Sequence, residues 1–88
     1  MEDRIHLTVA TADGTVLDCM TNYVNIPTSF GSLGILRGHA PMLCAVAEGV
    51  LKCRIGEDSG VRVCVGEGIA DVGGEQVTVL VSFARTME

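Results

Sequence analysis

His39, Cys44 and the glycines of "FGSLGILRGHAPML", residues 30–43, are the positions at which this chain could do chemistry. A thiol beside an imidazole can act as a nucleophile, and Cys44 with His39 would be that pair. Such a pair also needs a third group to orient the ring and a pocket for substrate. Cys44 lies in the apolar run "MLCAVA", where burial raises a thiol's pKa and quiets it. The glycines suggest a phosphate cradle instead. A P-loop, however, carries Lys and then Ser or Thr after its last glycine, and here Gly38 is followed by His39 and Ala40. A dinucleotide fingerprint needs a helix N-terminus behind the loop, and no stretch of this chain has a helical period.

Other reactive residue types are no better arranged. Glu57 and Asp58 fall in the polar turn "GEDSG", and Glu67 and Asp71 flank Gly68, where they could meet across a sheet. His6 sits on the polar side of an alternating stretch, and two isolated histidines do not make a zinc site. Cys19, Cys44, Cys53 and Cys64 match no metal or redox spacing. They read as reduced thiols, with Cys53 in phase with Leu51 and Ile55 as a small buried hydrophobe. The residues therefore point to no catalytic group, no metal and no cofactor, and the alternating strands that frame the loop carry the argument.

Those strands are legible. Ile5, Leu7 and Val9 alternate with His6, Thr8 and Ala10; Val24 and Ile26 with Tyr23 and Asn25; Leu51, Cys53 and Ile55 with Lys52 and Arg54. Val61, Val63 and Val65 bracket Arg62 and Cys64, and Val77, Val79 and Val81 alternate with Gln76 and Thr78. A period of two means one buried and one wetter face per strand. Asp13–Gly14 reads as a two-residue hairpin turn, whose central positions need positive φ. Glu48–Gly49, Gly73–Gly74 and "GEDSG" separate further strands. Turns at this spacing favour an all-β antiparallel sandwich or barrel over a parallel α/β sheet. Eighty-eight residues, 48% hydrophobic and 19% charged, suit one small folded domain spanning residues 1–88.

Charge and targeting signals narrow the partners. The net charge is −5, and the six basic residues are scattered along the chain, so neither a nucleic-acid backbone nor an anionic membrane is expected as a partner. The acidic, alternating N-terminus does not read as a secretory signal. No apolar run approaches the length of a membrane span, so no direct membrane insertion is expected.

The loop resembles the signature of the epsilon subunit of F-type ATP synthases (delta in mitochondria), written G-x-[FL]-G-I-L-P-G-H-A-P-L-L. Gly31, Leu33, Gly34, Ile35, Leu36, Gly38, His39, Ala40, Pro41 and Leu43 match it without gaps. "HLTVATADGTVLD", "EGVLKCRI" and "VGEGIADVGGEQVTVL" are similar to the family's other segments in the same order. Arg37 stands where the family usually has Pro, Ser32 where many members carry an acid, and Cys19 and Glu67 where glycines are usual.

The resemblance implies a β-sandwich of about ten short strands in a non-catalytic central-stalk subunit. Such a subunit couples the gamma subunit to the c-ring, peripheral to the cytoplasmic face of a bacterial membrane or to a thylakoid or other organellar membrane. On the gamma side it implicates Thr11, His39, Ala40, Pro41, Met42 and Cys44; on the c-ring side, Ser29, Phe30, Gly31 and Ser32. Phe30 could equally be a staple tucked under its loop. The family's ATP-sensing helical hairpin would follow the last residue of this sequence, so the resemblance brings neither sensing nor inhibition to these residues. Two other classes are a stand-alone sandwich binding a peptide or carbohydrate, and a thiol enzyme using Cys44 and His39.

Overall fold

The structure, a computed structural model, describes residues 4–55 and 59–87, without the side chains of Ile55 and Ser59. The ten strands are β1 (Ile5–Thr11), β2 (Gly14–Thr21), β3 (Tyr23–Thr28), β4 (Gly31–Ile35), β5 (Met42–Val46), β6 (Gly49–Ile55), β7 (Ser59–Val65), β8 (Gly68–Val72), β9 (Gln76–Val81) and β10 (Ala84–Met87). They form two five-stranded sheets, ordered β2-β1-β9-β8-β5 and β10-β7-β6-β3-β4.

The alternation read from the sequence is what packs these sheets together. Ile5, Leu7, Val9, Ala70, Val72, Val77, Val79 and Val81 point inward from the first sheet. Val24, Ile26, Ile35, Leu51, Cys53, Val63 and Val65 meet them from the second. Burying one such aliphatic side chain stabilises the fold by roughly 1.5–3 kcal/mol. The layer is nearly all branched aliphatic, which matches a chain with one Tyr, two Phe and no Trp. All four cysteines are free. Cys53 is buried, and its thiol is pushed up to about 12, chiefly by burial and then by Cys19 lying against it.

The observed sandwich departs from the sequence reading at three points. Among the described residues, seven of the eight strand pairings are antiparallel, as expected, but β1 pairs with β9 in parallel, with Leu7 opposite Val77 and Val9 opposite Val79. Alternation reports faces and not strand direction, so it could not have shown this. The first hairpin turns on Ala12 and Asp13 instead of Asp13–Gly14. Within this hairpin only Gly14 has positive φ, at 129°, and the pairing slips after Val9, which faces Leu17 while Ala10 faces Thr15. Glu48–Gly49 does not join a strand pair, because β5 and β6 lie in different sheets. The turn at residues 56–58 lies outside the described residues.

Where the chain first crosses between sheets, Thr21 is the buried polar side chain. Its hydroxyl accepts from the Arg54 backbone N–H at 3.1 Å and also contacts the Arg54 carbonyl. A second carbonyl, that of Tyr23, lies 2.9 Å from the same oxygen. One side chain thus supplies partners to backbone groups of β6 and of the crossover.

Candidate functional site

The β3–β4 hairpin is built to hold its tip still. The Thr28 hydroxyl donates to the Gly31 carbonyl and accepts from the Phe30 N–H at 3.2 Å. Gly31 takes φ 114°, a value that side-chain-bearing residues avoid. The result pushes Phe30 fully into solvent, at 100% exposure, between exposed Ser29 and Ser32. A staple role for Phe30 is therefore overturned, because the hairpin's own hydrogen bonds close the tip without it.

The next segment, residues 36–41, is tied to the β8–β9 turn. Gly38, at φ 88°, donates its N–H to the Gly74 carbonyl at 2.8 Å. Arg37 Nη2 reaches Glu75 Oε2 at 3.1 Å, so the residue in place of the family's usual proline supplies a cross-loop contact. The His39 N–H bonds the Leu36 carbonyl at 3.1 Å, and His39 Nδ1 lies 2.8 Å from the Ala40 carbonyl. A carbonyl only accepts, so Nδ1 carries the proton. Ala40 and Pro41 stand exposed beside this half-buried ring.

The candidate residues do not form one site. Met42 and Cys44 line a groove of about 320 Å³ together with Thr28, Ser29, Phe30 and Ser32. Two groups that the sequence assigned to different partners thus share one concavity. His39 is not in its lining, and no hydrogen bond joins it to Cys44. Burial pushes the Cys44 thiol up. This arrangement lacks the base, the orienting group and the activated thiol that a nucleophile needs. Thr11 is at the far end of the first sheet, where a groove of about 500 Å³ runs past Ala12, Glu67, Gly68, Ile69 and Leu80. Glu67 and Asp71 do not meet across a sheet: Glu67 precedes β8, and Asp71 on β8 faces Leu43 and Thr78. Among the described residues, no group of three His, Cys, Asp or Glu side chains is placed to hold a metal ion.

The first sheet's outer face holds residues that the sequence reading did not single out. Pairing places Ala45 opposite Ile69, Ile69 opposite Leu80, and Leu80 opposite Ala10. An apolar row therefore crosses four strands on the side turned away from the core. Leu43 is 71% exposed, and Ile69 and Leu80 are each 55% exposed. The available signal was the continuous apolar character of "VTVLV" and "MLCAVA", which marks strands covered on both faces.

Residues 4–86 match the model of the "ATP synthase, Delta/Epsilon chain, beta-sandwich domain" family. The chain belongs to this family. It is 40% identical over 81 residues to the chloroplastic ATP synthase epsilon chain of Guillardia theta, covering 92% of this chain and 61% of that one. It is also 40% identical over 80 residues to the epsilon chain of Synechococcus sp. (strain JA-2-3B'a(2-13)), covering 91% and 58%. The chain thus spans about three-fifths of these relatives' length. A chain in the cryo-EM structure of the Euglena gracilis mitochondrial ATP synthase (OSCP/F1/c-ring) superposes with a TM-score of 0.89 at 23% identity. That superposition covers 98% of this chain and 55% of the other. One in the Tetrahymena thermophila central stalk/c-ring structure gives 0.75 at 19% identity, covering 96% and 67%. At these identities the structural matches establish the sandwich fold.

One sequence reading is corrected by the sheet register. The basic residues are dispersed along the chain but not in space: Lys52, Arg54, Arg62 and Arg85 all stand exposed on the outer face of the second sheet. Sequence separation hid this because β6, β7 and β10 become neighbours only on folding.

Proposed function

We propose that this domain is the non-catalytic central-stalk part of an F-type ATP synthase, joining the gamma subunit to the c-ring during proton-driven ATP synthesis. The observation that carries the reading is the family match over residues 4–86, which includes the glycine loop. The geometry supports a division of labour. The apolar row Ala10, Leu80, Ile69 and Ala45, extended by Leu43, is the surface a lasting partner would cover. We assign it to gamma, with Thr11 at one rim and His39, Ala40 and Pro41 at the other, and Met42 and Cys44 along the adjoining edge strand. The β3–β4 tip, Ser29, Phe30, Gly31 and Ser32, is assigned to the c-ring. Its internal hydrogen bonds lower the entropy lost on docking, which suits a contact that passes torque. In this reading the domain is peripheral, held on the cytoplasmic face of a bacterial membrane or the equivalent organellar side through the complex.

The test is co-purification of residues 1–88 with gamma. A stable complex at micromolar concentration is expected. Leu80→Asp should weaken it about tenfold or more, because the carboxylate must be buried without a partner, while the free domain melts as before. A wild-type domain that leaves gamma unbound removes the proposal. Rapid labelling confined to Cys44 at neutral pH would favour a thiol enzyme instead.

A further inference from the structure

The chain carries eleven acidic and six basic residues, yet four of the six basic ones share a single face. Lys52 on β6 is directly opposite Arg62 on β7, and Arg62 is opposite Met87 on β10, two residues from Arg85. Arg54 is two residues from Lys52 on the same strand and faces Gly60. Three neighbouring strands span about 10 Å, so the four cations occupy a patch of roughly that width. Among the described residues, the ion pairs that the structure shows involve His6 with Asp18 and Arg37 with Glu75, and none of these four. The outward-facing acids on strands, Asp18 and Asp71, belong to the opposite sheet.

This pattern costs the isolated domain stability. Like charges directly opposed on neighbouring strands repel at a Cβ separation of about 4.5–5.5 Å. A local rule broken without compensation among the described residues marks a place where function has overridden folding. The same face holds a groove of about 320 Å³, lined by Tyr23, Lys52, Arg54, Gly60 and Arg62. Tyr23 faces Arg54 across the β3–β6 pairing, and its ring lies over Gly34, where an added Cβ would come within 2.9 Å of the phenol oxygen. The Asn25 amide donates to that oxygen at 3.0 Å, so the phenolic proton remains to be given to an acceptor.

We propose that the outer face of the second sheet is a docking surface for an acidic segment of another polypeptide, one with Asp or Glu at alternate positions of an extended stretch. Alternate side chains of an extended strand repeat every ~6.7 Å, close to the ~7–8 Å spacing of diagonal positions on the sheet. Arginine forks hold carboxylates in paired hydrogen bonds, and the Tyr23 hydroxyl adds a donor beside them. Charge scale decides among anions. The screening length of about 8 Å matches the patch width. A narrow acidic segment therefore meets the cations alone, whereas a membrane or a nucleic acid also meets the surrounding negative surface. This surface is separate from the apolar row on the first sheet, and the inference stands whichever partner covers that row.

The experiment titrates residues 1–88 with a labelled short peptide of alternating Glu and Ser, followed by anisotropy at low and high salt. A Gln–Ser peptide, phosphatidylglycerol vesicles and a single-stranded oligonucleotide are run in parallel. Binding of the acidic peptide that is lost at high salt, with weaker or no binding of the other three, is expected. Lys52→Glu should reduce peptide binding about tenfold or more and leave the melting temperature equal or higher, because a carboxylate there pairs with Arg62. Gamma binding by this variant should match wild type. The proposal is overturned by any of three results: no binding of the acidic peptide at low salt, tighter binding of vesicles or oligonucleotide, or full binding by Lys52→Glu.

Discussion

The hydroxyl of Thr21 and the backbone of Arg54 form the polar joint between the two sheets: the Arg54 N–H donates to Thr21 Oγ1 at 3.1 Å, and the Arg54 carbonyl lies against the same oxygen. Thr21 ends β2 in one sheet and Arg54 belongs to β6 in the other, so this contact fixes how the layers sit at that corner. Thr21→Val keeps the shape and removes both roles of the hydroxyl. It should lower unfolding free energy by about 1–3 kcal/mol, the cost of leaving a buried backbone donor without a partner. Thr21→Ser should lose less. Urea unfolding checks this, with the midpoint falling and the slope unchanged.

Gly38 gives a test of backbone geometry alone. Its φ is 88°, and nothing lies within 4 Å of the position a Cβ would take. Gly38→Ala therefore meets no clash, and its cost is the conformational strain of about 1–2 kcal/mol. Gly34→Ala tests the opposite case: its φ is ordinary, but the new methyl runs into the Tyr23 ring. Tyr23 must move, so the Gly34 variant should disturb the second sheet's basic groove while the Gly38 variant leaves it intact. Unfolding free energies of the two variants, with acidic-peptide binding as the second readout, separate the mechanisms.

The fold was legible where a residue's face is set by its position along its own strand. Ile5, Leu7 and Val9 announce their burial in sequence, as do Val77, Val79 and Val81, and the core is built from them. Neither the direction of β9 beside β1 nor the meeting of Lys52 with Arg62 could be read, because both depend on which strands become neighbours. The loop was recognisable by residue type, but its distribution over separate surfaces was not. Thr11 and His39 sit at opposite ends of the first sheet, and Cys44 turns toward the Phe30 hairpin. Ile69 and Leu80 went unmarked, and Leu43 was marked only as a motif match, because an outward-facing aliphatic residue in a strand looks in sequence like one more core residue.

Cys53 makes stability depend on alkaline pH. Its thiol, ordinarily near 9, is raised to about 12 in the folded chain, first by burial and then by contact with Cys19. A raised folded pKa means that the native state holds its proton where the unfolded chain has released it. The associated stabilisation is fully present below pH 9 and is lost as pH rises toward about 12. Cys19 is shifted in the same direction, mainly by burial. Unfolding free energy should fall across this window, and the fall should be smaller in Cys53→Ala, whose stability is lower at neutral pH because of the cavity. Parallel curves for wild type and variant would refute this assignment.

Phe30 and Leu80 separate the two docking assignments from each other. Both are apolar and exposed, at 100% and 55%, so neither contributes much to the core, and Phe30→Ser and Leu80→Asp should each change unfolding free energy by less than about 1 kcal/mol. Their effects on assembly should differ. Leu80 lies within the apolar row, where a charge must be desolvated on docking, so Leu80→Asp should lose gamma and with it every downstream contact. Phe30 stands at the end of a hairpin closed by Thr28, so Phe30→Ser should leave gamma binding within about twofold and weaken attachment of the gamma-bound domain to the c-ring. Pull-down with gamma alone and then with gamma and c-ring together reads both steps. Loss of gamma binding in Phe30→Ser would place the hairpin on the gamma side, along with the groove it shares with Met42 and Cys44.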